Sequence, residues 1–326
     1  MLSEGDRDKD TREEVRRGAD ELSAAAMVTD QGKERDVNED RCAVITALSG
    51  TCAIVLDGMG GVEGGEFAAQ LALEAFQRFM QEHPTLPPEA AMRGAVDEAH
   101  RVVKLRRQNQ TFVSMGTTVV AILVDHDEVV VANVGDSRAY LVRDGNTEQL
   151  SIDHTVVQEL VDRQEIRKED ALTHPQSHVL TQCLGSAGSL SLTLKKYWIW
   201  PTEDEGARDT MLLCSDGLYS LVPDEEIGLI VSTHSPEEAC SILTRLANDR
   251  GGYDNITAAI LPIGGLLRDE PPPGWERKAA RRVREKERIV NNQLRVTTHL
   301  MFAVVVSAVA CVVTCAAFAA LNFWGR

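Results

Sequence analysis

Five aspartates of the sequence share one setting, because each stands at the edge of an apolar run or in a glycine-containing turn. They are Asp40, Asp57, Asp136, Asp216 and Asp254. A single aspartate in such a setting is most often a turn residue or a helix cap. Five of them form a pattern, and their carboxylate oxygens are the ligands that Mg²⁺ and Mn²⁺ prefer.

The segment around Asp57 carries most of this chemistry. The apolar run Ile54–Leu56 predicts a buried strand that delivers one carboxylate to a sheet edge. Glycines are dense from Gly58 to Gly65, so the backbone can turn tightly and bring its carbonyl oxygens close to whatever the carboxylate holds. An ordinary strand-to-helix turn is the alternative for this segment taken alone.

The elements that must position these carboxylates come in batches. Apolar β-branched runs predict strands within 24–56, 117–142 and 190–214 and at 256–263, and helical spacing predicts helix pairs within 66–107 and 224–248. The three strands of 117–142 follow one another closely, which predicts an antiparallel meander. Strands in batches and helices in pairs favour an α+β fold with antiparallel sheets over a doubly wound parallel sheet.

Composition limits the partners. The chain has 326 residues, with 50 Asp and Glu against 34 Lys and Arg and a formal charge of −16. We therefore expect no nucleic-acid partner, since binding a phosphate backbone needs a positive surface. The seven cysteines show neither paired nor metal-binding spacing, which is typical of free thiols in a reducing compartment.

The two ends of the chain differ from its middle. Residues 1–22 are dense in charge and predict a disordered tail, and 23–265 form the predicted large domain. Residues 266–299 are Pro-rich and then basic. Residues 300–322 predict a transmembrane helix, because the uncharged run Leu300 to Leu321 spans roughly 30 Å at about 1.5 Å per residue. The basic residues before it place the large domain in the cytoplasm.

An ordered set of short motifs links these observations to a family. The motifs are Arg35-x-x-Asn38-Glu39-Asp40, Asp57-Gly58-Met59-Gly60-Gly61, Gly116-Thr117-Thr118, Gly135-Asp136-Ser137-Arg138-Ala139-Tyr140, Asp153-His154, His174-Pro175, Ser215-Asp216-Gly217-Leu218 and Asp254-Asn255-Ile256-Thr257. In this order, from about Ala24 to Ile263, the chain resembles the metal-dependent type 2C protein phosphatases, particularly the bacterial branch.

This resemblance implies both the fold and the site. The fold would be two packed antiparallel sheets flanked by helix pairs, an α-β-β-α sandwich, to which the uncharged run described above adds one predicted C-terminal transmembrane helix. The site would hold two Mn²⁺ or Mg²⁺ ions and a third, weaker ion. Asp57 would bridge both ions, the Gly58 carbonyl would bind one of them, and Asp216 and Asp254 would bind the other. Glu39 and Asp40 would act through metal-bound water. Asp136 would bind the third ion together with Asp216, and Arg35 would bind the substrate phosphate.

The implied function is hydrolysis of phosphoserine and phosphothreonine by a hydroxide that the binuclear centre activates. Arg35 and Asp57 would be the catalytic residues and the substrates would be proteins phosphorylated by a Ser/Thr kinase. The enzyme would be a single-pass protein of the bacterial inner membrane. Two alternatives remain, a catalytically silent phosphoprotein-binding module at the membrane and a scaffold whose basic segment binds anionic lipid.

The sequence departs from the family pattern in two places. Met59 stands where many eukaryotic members have a histidine that is proposed as general acid, so water would have to protonate the leaving oxygen here. Ser177 and His178 lie in a segment where family members often place arginines. We therefore expect few basic contacts to substrate from that segment.

Overall fold

The computed structural model describes residues 25–108, 114–202, 208–292 and 295, with backbone alone at 61–63. The chain divides into two units between Pro273 and Gly274. The predicted tail at 1–22 and the predicted transmembrane helix at 300–322 lie outside the described residues. Among the residues that are described, no helix has the length and apolarity needed to cross a bilayer.

The larger sheet of the first unit is antiparallel and has six strands. In spatial order they are β13 (Leu266–Arg268), β10 (Thr193–Trp200), β7 (Glu128–Val134), β6 (Val119–Asp125), β3 (Gly50–Leu56) and β2 (Arg41–Ala47). The hairpin of β2 and β3 confirms the prediction from the alternating apolar runs, with Cys42 opposite Val55. β13 lies just beyond the predicted domain boundary at residue 265.

The smaller sheet is also antiparallel and has five strands. In spatial order they are β1 (Ala26–Asp30), β12 (Ile256–Pro262), β11 (Thr210–Cys214), β8 (Arg138–Arg143) and β9 (Asn146–Gln149). Two very short strands, β4 (Gly58–Met59) and β5 (Gly116–Thr117), form a separate two-stranded antiparallel ribbon. The first and last long strands of the unit are therefore neighbours, because Ala26 of β1 lies opposite Ile260 of β12.

The predicted meander over 117–142 is wrong at its third strand. β6 and β7 pair as expected, but β8 lies in the smaller sheet between β11 and β9. The chain changes sheets at Gly135, where φ is 101° and an added Cβ would lie 2.6 Å from the Thr118 side chain. Apolar alternation did not reveal this change, since the inner faces of both sheets are equally apolar.

Helices cover the outer face of each sheet. α1 (Gly61–Glu82) and α2 (Pro88–Arg107) share one buried apolar cluster with the larger sheet, in which Phe76 is fully buried. α4 (Asp216–Tyr219), α5 (Asp224–Thr233) and α6 (Pro236–Asp249) share a second cluster with the smaller sheet. A third cluster joins the two sheets themselves. The predicted α-β-β-α arrangement of packed antiparallel sheets is confirmed.

Three further elements complete the described chain, and one of them is a short 3₁₀ helix at Lys168–Asp170. α3 (Val156–Asp162) begins at Thr155, whose hydroxyl accepts the Gln158 N–H at 3.2 Å as an N-cap. In the second unit, residues 275–292 are helical. This helix contains the predicted basic segment.

Candidate metal centre

Asp57 follows β3 at the edge of the larger sheet, as the sequence predicts. Its backbone forms two hydrogen bonds with Thr118, since its N–H donates to Thr118 Oγ1 at 3.0 Å and its carbonyl accepts the Thr118 N–H at 2.8 Å. The Thr118 hydroxyl lies 2.7 Å from that of Ser137, in the turn after β7. This buried contact ties the Asp57 segment to the turn that carries Asp136.

Asp136 and Asp216 come from two further strand ends. Asp136 follows β7 and is 6% exposed, and Asp216 follows β11 as the first residue of α4. The Tyr219 hydroxyl donates to the Asp136 carbonyl at 3.1 Å, so α4 fixes the backbone of both residues. The guanidinium of Arg138 lies over the Tyr219 ring, 3.7 Å from its centre.

Asp40 and Asp254 lie at the same site as these aspartates. Asp40 comes from the start of β2, and Asp254 comes from the smaller sheet. Asp40 directly precedes β2, is 1% exposed and accepts a hydrogen bond from the Ser215 hydroxyl at 2.7 Å. Asp254 lies just before β12, and its Oδ1 accepts the Asn255 N–H at 2.8 Å. The Asn255 amide oxygen accepts the Glu39 N–H at 2.8 Å. One hydroxyl and one amide therefore fix the acidic segments to each other.

Gly58 and Glu39 lie where the start of α1 meets the β2 segment. The Glu39 carboxylate accepts the Gly65 N–H at 3.2 Å, from the first turns of α1. A Cβ at Gly58 would lie 2.6 Å from the Glu39 carbonyl oxygen, so the two backbones approach too closely for a side chain. The dense glycines after Asp57 therefore permit this close packing.

Arg35 lies at the exposed rim of the site. Its Nη2 donates to Asp254 Oδ2 at 2.7 Å, and its side chain is 47% exposed. The structure thus pairs the predicted phosphate-binding residue with a predicted metal ligand. Because a guanidinium has five N–H donors, this ion pair leaves donors for a bound phosphate.

The carboxylates perturb one another. Burial raises the pKa of Asp57 well above its usual range, and the charges of Asp40, Asp216, Asp136 and Asp254 raise it further. Burial is also the main cause that raises the pKa of Asp136, and it raises the pKa of Asp40 to about 7. Negative charge is therefore concentrated in a site that lacks enough positive charge to balance it, which favours a bound cation.

The donor set fits hard divalent cations. All the predicted side-chain ligands offer carboxylate oxygens, and Oδ1 of Asp216 is buried without a hydrogen-bond partner. Within the described ranges, however, no group of three or more His, Cys, Asp or Glu side chains is placed so that it could hold a metal ion as it stands. The Asp254 carboxylate instead accepts a hydrogen bond from Arg35, and the Asp40 carboxylate accepts one from Ser215. The individual ligand assignments therefore stay predictions.

The structure brings the predicted site residues together from five separate chain segments. The residues that hold them in place had no role predicted from the sequence. These are Thr118, Ser137, Ser215, Tyr219 and Asn255. Four of them lie inside the quoted motifs, and that position was the available signal. Tyr219 follows its motif directly and gave no signal of its own.

Comparison with known proteins places this site in a family. The model of the family described as protein phosphatase 2C matches residues 31–250. The serine/threonine phosphatase stp of Listeria welshimeri is 35% identical over 244 residues, which covers 73% of this chain and 94% of that protein. The chain therefore belongs to the protein phosphatase 2C family. It is a protein serine/threonine phosphatase.

Solved structures agree with this assignment. The serine/threonine phosphatase PstP/Ppp of Mycobacterium tuberculosis superposes with a TM-score of 0.65 at 32% identity, covering 73% of this chain and 97% of that one. The catalytic domain of PstP in complex with two manganese ions superposes with a TM-score of 0.62 at 31% identity, covering 73% and 96%. In that relative, a domain similar to the first unit binds manganese.

Proposed function

We propose that this phosphatase hydrolyses phosphoserine and phosphothreonine in proteins with two Mn²⁺ or Mg²⁺ ions, held at the site of the five aspartates while the chain is tethered to a membrane. The observation that carries the metal-dependent chemistry is the convergence of buried carboxylates from separate strand ends, with one buried carboxylate oxygen of Asp216 left without a partner. The PstP structure with two manganese ions supports the number and kind of ions.

The residues would divide the work as follows. Asp57 and the Gly58 carbonyl would hold one ion, Asp57 with Asp216 and Asp254 the other, and Glu39 and Asp40 would orient water around them. When bound, the two ions supply positive charge that lowers the pKa of water and stabilises the transferring phosphoryl group. Arg35 would exchange part of its contact with Asp254 for two phosphate oxygens, which its planar fork of donors matches.

Met59 cannot donate a proton to the leaving oxygen of the substrate. Met59 lies in β4, two residues after Asp57, and a thioether carries no acidic proton. The serine or threonine oxygen would therefore take its proton from water. Substituting Met59 by another apolar residue should leave the acid limb of the pH–rate profile in place.

The test is release of phosphate from a phosphothreonine peptide by the purified full chain, first with chelator and then with added Mn²⁺. We expect release only with metal. Loss of a residue that only supports a metal ligand typically lowers activity by about 10–100-fold. Asp57→Asn removes a ligand itself, so kcat/KM should fall by more than this. Asp249→Asn, at an exposed ion pair of 3.9 Å with Lys33, is the matched control and should keep wild-type activity.

Two results would contradict the proposal. Turnover by Asp57→Asn at the wild-type rate would exclude the assigned centre. Binding of Mn²⁺ and phosphopeptide by the wild-type chain without any turnover would favour the silent binding module instead.

The membrane tether rests on the sequence. Its support is the uncharged run Leu300 to Leu321, with basic residues before it on the helix at 275–292. The basic residues before the run favour a phosphatase unit that faces the cytoplasm, and we propose the bacterial inner membrane as its location. We expect the full chain in the membrane fraction, released only by detergent, and a chain ending at Pro273 in the soluble fraction. Release of the full chain by salt alone would overturn the tether.

A further inference from the structure

A groove runs between β1 and α6 at the edge of the smaller sheet. Its volume is about 680 Å³, and its walls are mainly apolar, with Met27 and Val28 on the strand and Cys240 on the helix. β1 is the end strand of its sheet, so among the described residues no strand pairs with its second edge. Extended peptides bind in grooves of this kind, beside an edge strand with an open side.

The length of the groove suits a short extended segment. The strand from Ala26 to Asp30 spans about 13 Å, at about 3.3 Å per residue. The helix from Glu237 to Asn248 spans about 16.5 Å along the other wall, at about 1.5 Å per residue. Because an extended peptide also rises by about 3.3 Å per residue, roughly four or five of its residues fill this length.

Two buried oxygen atoms on the α6 wall have no hydrogen-bond partner among the described residues. They are Oγ1 of Thr244, a residue that is 8% exposed, and Oδ1 of Asn248. The two residues lie on one face of the helix, about 6 Å apart along its axis. Backbone groups on one side of an extended peptide repeat at about 6.6 Å, which is close to this spacing. Rotation of Thr244 about χ1, which has two common rotamers in helices, would present its hydroxyl to such a backbone.

One end of the groove is positively charged. Lys33 and Arg245 line this end, and Glu237 lines the other. Arg245 forms no ion pair among the described residues, and the contact of Lys33 with Asp249 is long, at 3.9 Å between exposed groups. The Asp30 carboxylate at this end already accepts two hydrogen bonds, at 2.9 and 3.0 Å. The two cations are therefore free to contact an acidic side chain of a partner.

The positive end of the groove continues into the site of Arg35. Lys33 stands two residues before Arg35, so their Cα atoms are at most about 7 Å apart. Hydrogen bonds fix this turn, because the Lys33 N–H donates to the Gly252 carbonyl at 2.7 Å and the Gln31 side chain donates to the Arg35 carbonyl at 2.7 Å. A peptide whose phosphoryl group contacts Arg35 would reach the groove with residues a few positions away.

We propose that this groove docks a segment of the phosphoprotein substrate that lies a few residues from the phosphorylated residue. An acidic side chain contacts Lys33 and Arg245, and apolar side chains beyond it contact Met27 and Val28. The proposal rests on the proposed function, because it names the class of phosphoprotein that the same site accepts. Binding far from the reacting group is equal in the ground state and the transition state, so docking lowers KM and leaves kcat unchanged.

The test measures turnover of three phosphothreonine peptides by the full chain with Mn²⁺. The short peptide has five residues, with alanines around the phosphothreonine. The two longer ones extend it by an aspartate and then two leucines, on its N-terminal or its C-terminal side. One longer peptide should show a KM about 10-fold or more below that of the short peptide, at equal kcat.

Two variants locate this gain in the groove. Arg245→Glu should raise the KM of the longer peptide to that of the short one and leave the short peptide unaffected. Thr244→Val keeps the shape of the side chain but removes the hydroxyl, and it should raise the KM of the longer peptide by about 2–10-fold. Arg93→Glu makes the same charge change at an exposed arginine of α2, outside the groove, and should behave like the wild type.

Equal KM values of the three peptides in the wild type, or an equal loss in Arg93→Glu and Arg245→Glu, would overturn the proposal and leave the phosphatase function standing. A lower KM of the short peptide in Arg245→Glu, or a dimer that this variant dissociates, would assign the groove to the chain itself and would also overturn it. Absence of turnover of every peptide by the wild-type chain would overturn both the docking groove and the proposed function.

Discussion

The hydroxyl of Ser215 joins two acidic segments that are far apart in sequence. It donates to Asp40 Oδ2 at 2.7 Å and accepts the Thr257 N–H at 3.0 Å, and all three groups are buried. Ser215→Ala removes one of the two hydrogen bonds of the buried Asp40 carboxylate and takes this acceptor from the buried Thr257 N–H. We expect a loss of about 1–3 kcal/mol in the free energy of unfolding and about 10–100-fold weaker Mn²⁺ binding, measured by urea denaturation and calorimetric titration.

Ser49 supplies the control for this prediction. Ser49 is as buried as Ser215, with 1% of its surface exposed. Unlike Ser215, its hydroxyl has no hydrogen-bond partner among the described residues. Ser49→Ala should therefore be neutral or slightly stabilising, because it removes an unsatisfied polar group. If both variants lost equal stability, the role given to the Ser215 hydroxyl would be wrong.

His154 makes stability depend on pH. Its Nδ1 accepts the Gly135 N–H at 3.2 Å and its Nε2 lies 3.0 Å from the Thr193 hydroxyl, and burial lowers the pKa of the imidazole below its ordinary 6.5. Below about pH 6.5 the unfolded chain binds a proton that the folded chain resists. The stability that His154 confers is therefore complete above pH 6.5 and is lost as pH falls through the folded pKa.

We expect this loss to be smaller in His154→Asn. The free energy of unfolding, measured with urea and chelator at pH 7.5, 6.5 and 5.5, should fall less steeply in the variant than in the wild type. The carboxylates of the metal centre titrate in both proteins, so the difference isolates His154. His234→Asn, at the exposed end of α5, should follow the wild-type curve. Parallel curves for His154→Asn and wild type would contradict the prediction.

At this scale the sequence predicted the charged groups better than their supports. Asp57 and Asp216 were identifiable because five aspartates share one setting, although each of them alone would most often be a turn residue or a helix cap. Ser215 and Asn255 were not assigned, since their roles depend on partners 175 and 216 positions away. His178, which lies 3.5 Å from Asp216, was noted only as a departure from the arginines that family members often place in its segment.

The start of α1 is where an element meets the site most closely. A Cβ at Gly65 would lie 2.7 Å from both the Glu39 carboxyl carbon and the Gly58 carbonyl carbon, so the methyl group of Gly65→Ala must displace one of them. We expect folded protein with strongly reduced Mn²⁺ binding and phosphatase activity. Calorimetric titration and peptide turnover measure both.

Gly64→Ala is the matched variant one residue away in the same helix. Its Cβ would meet only Met115, at an ordinary 3.6 Å. It should keep full activity and gain up to about 1 kcal/mol of stability, since alanine is the better helix former. Equal activity in the two alanine variants would show that close packing at Gly65 does not shape the site.

The elements themselves were predictable where length and periodicity were clear. β2, β3, β11 and the α5–α6 pair follow their patterns, and α1 begins at Gly61, five residues before the predicted start at Glu66. β9, with the sequence Asn-Thr-Glu-Gln, was missed because a polar edge strand has no apolar alternation. Membership of one sheet or the other was not predictable, since it depends on packing between distant strands.

At the scale of the molecule, the first unit should function without the rest of the chain. A chain ending at Pro273 keeps every strand of both sheets, and we expect it to retain the activity of the full chain on phosphothreonine peptide. Loss of turnover in this shortened chain, with its fold intact by circular dichroism, would show that the second unit takes part in catalysis.

A shorter chain ending at Ile263 should be damaged. It lacks β13, which provides two hydrogen-bond partners of the fully buried Asp209 together with the residue before it. The Asp209 carboxylate loses the Leu267 N–H that donates to it, and the Asp209 N–H loses the Gly265 carbonyl to which it donates at 2.9 Å. We expect a loss of at least about 2 kcal/mol in the free energy of unfolding relative to the chain ending at Pro273. Equal stability of the two chains would contradict the role given to β13.

The pairing of β1 with β12 has a consequence for how the enzyme is made. A ribosome adds about 5–20 residues per second from the N-terminus, so roughly 10–45 s separate the synthesis of these two strands. Asp254, immediately before β12, is also among the last site residues to emerge. The growing chain is therefore inert toward phosphoproteins until translation of the unit is nearly complete. Fragments released from a stalled ribosome before that point lack phosphatase activity, so only finished copies act on the signals of the cell.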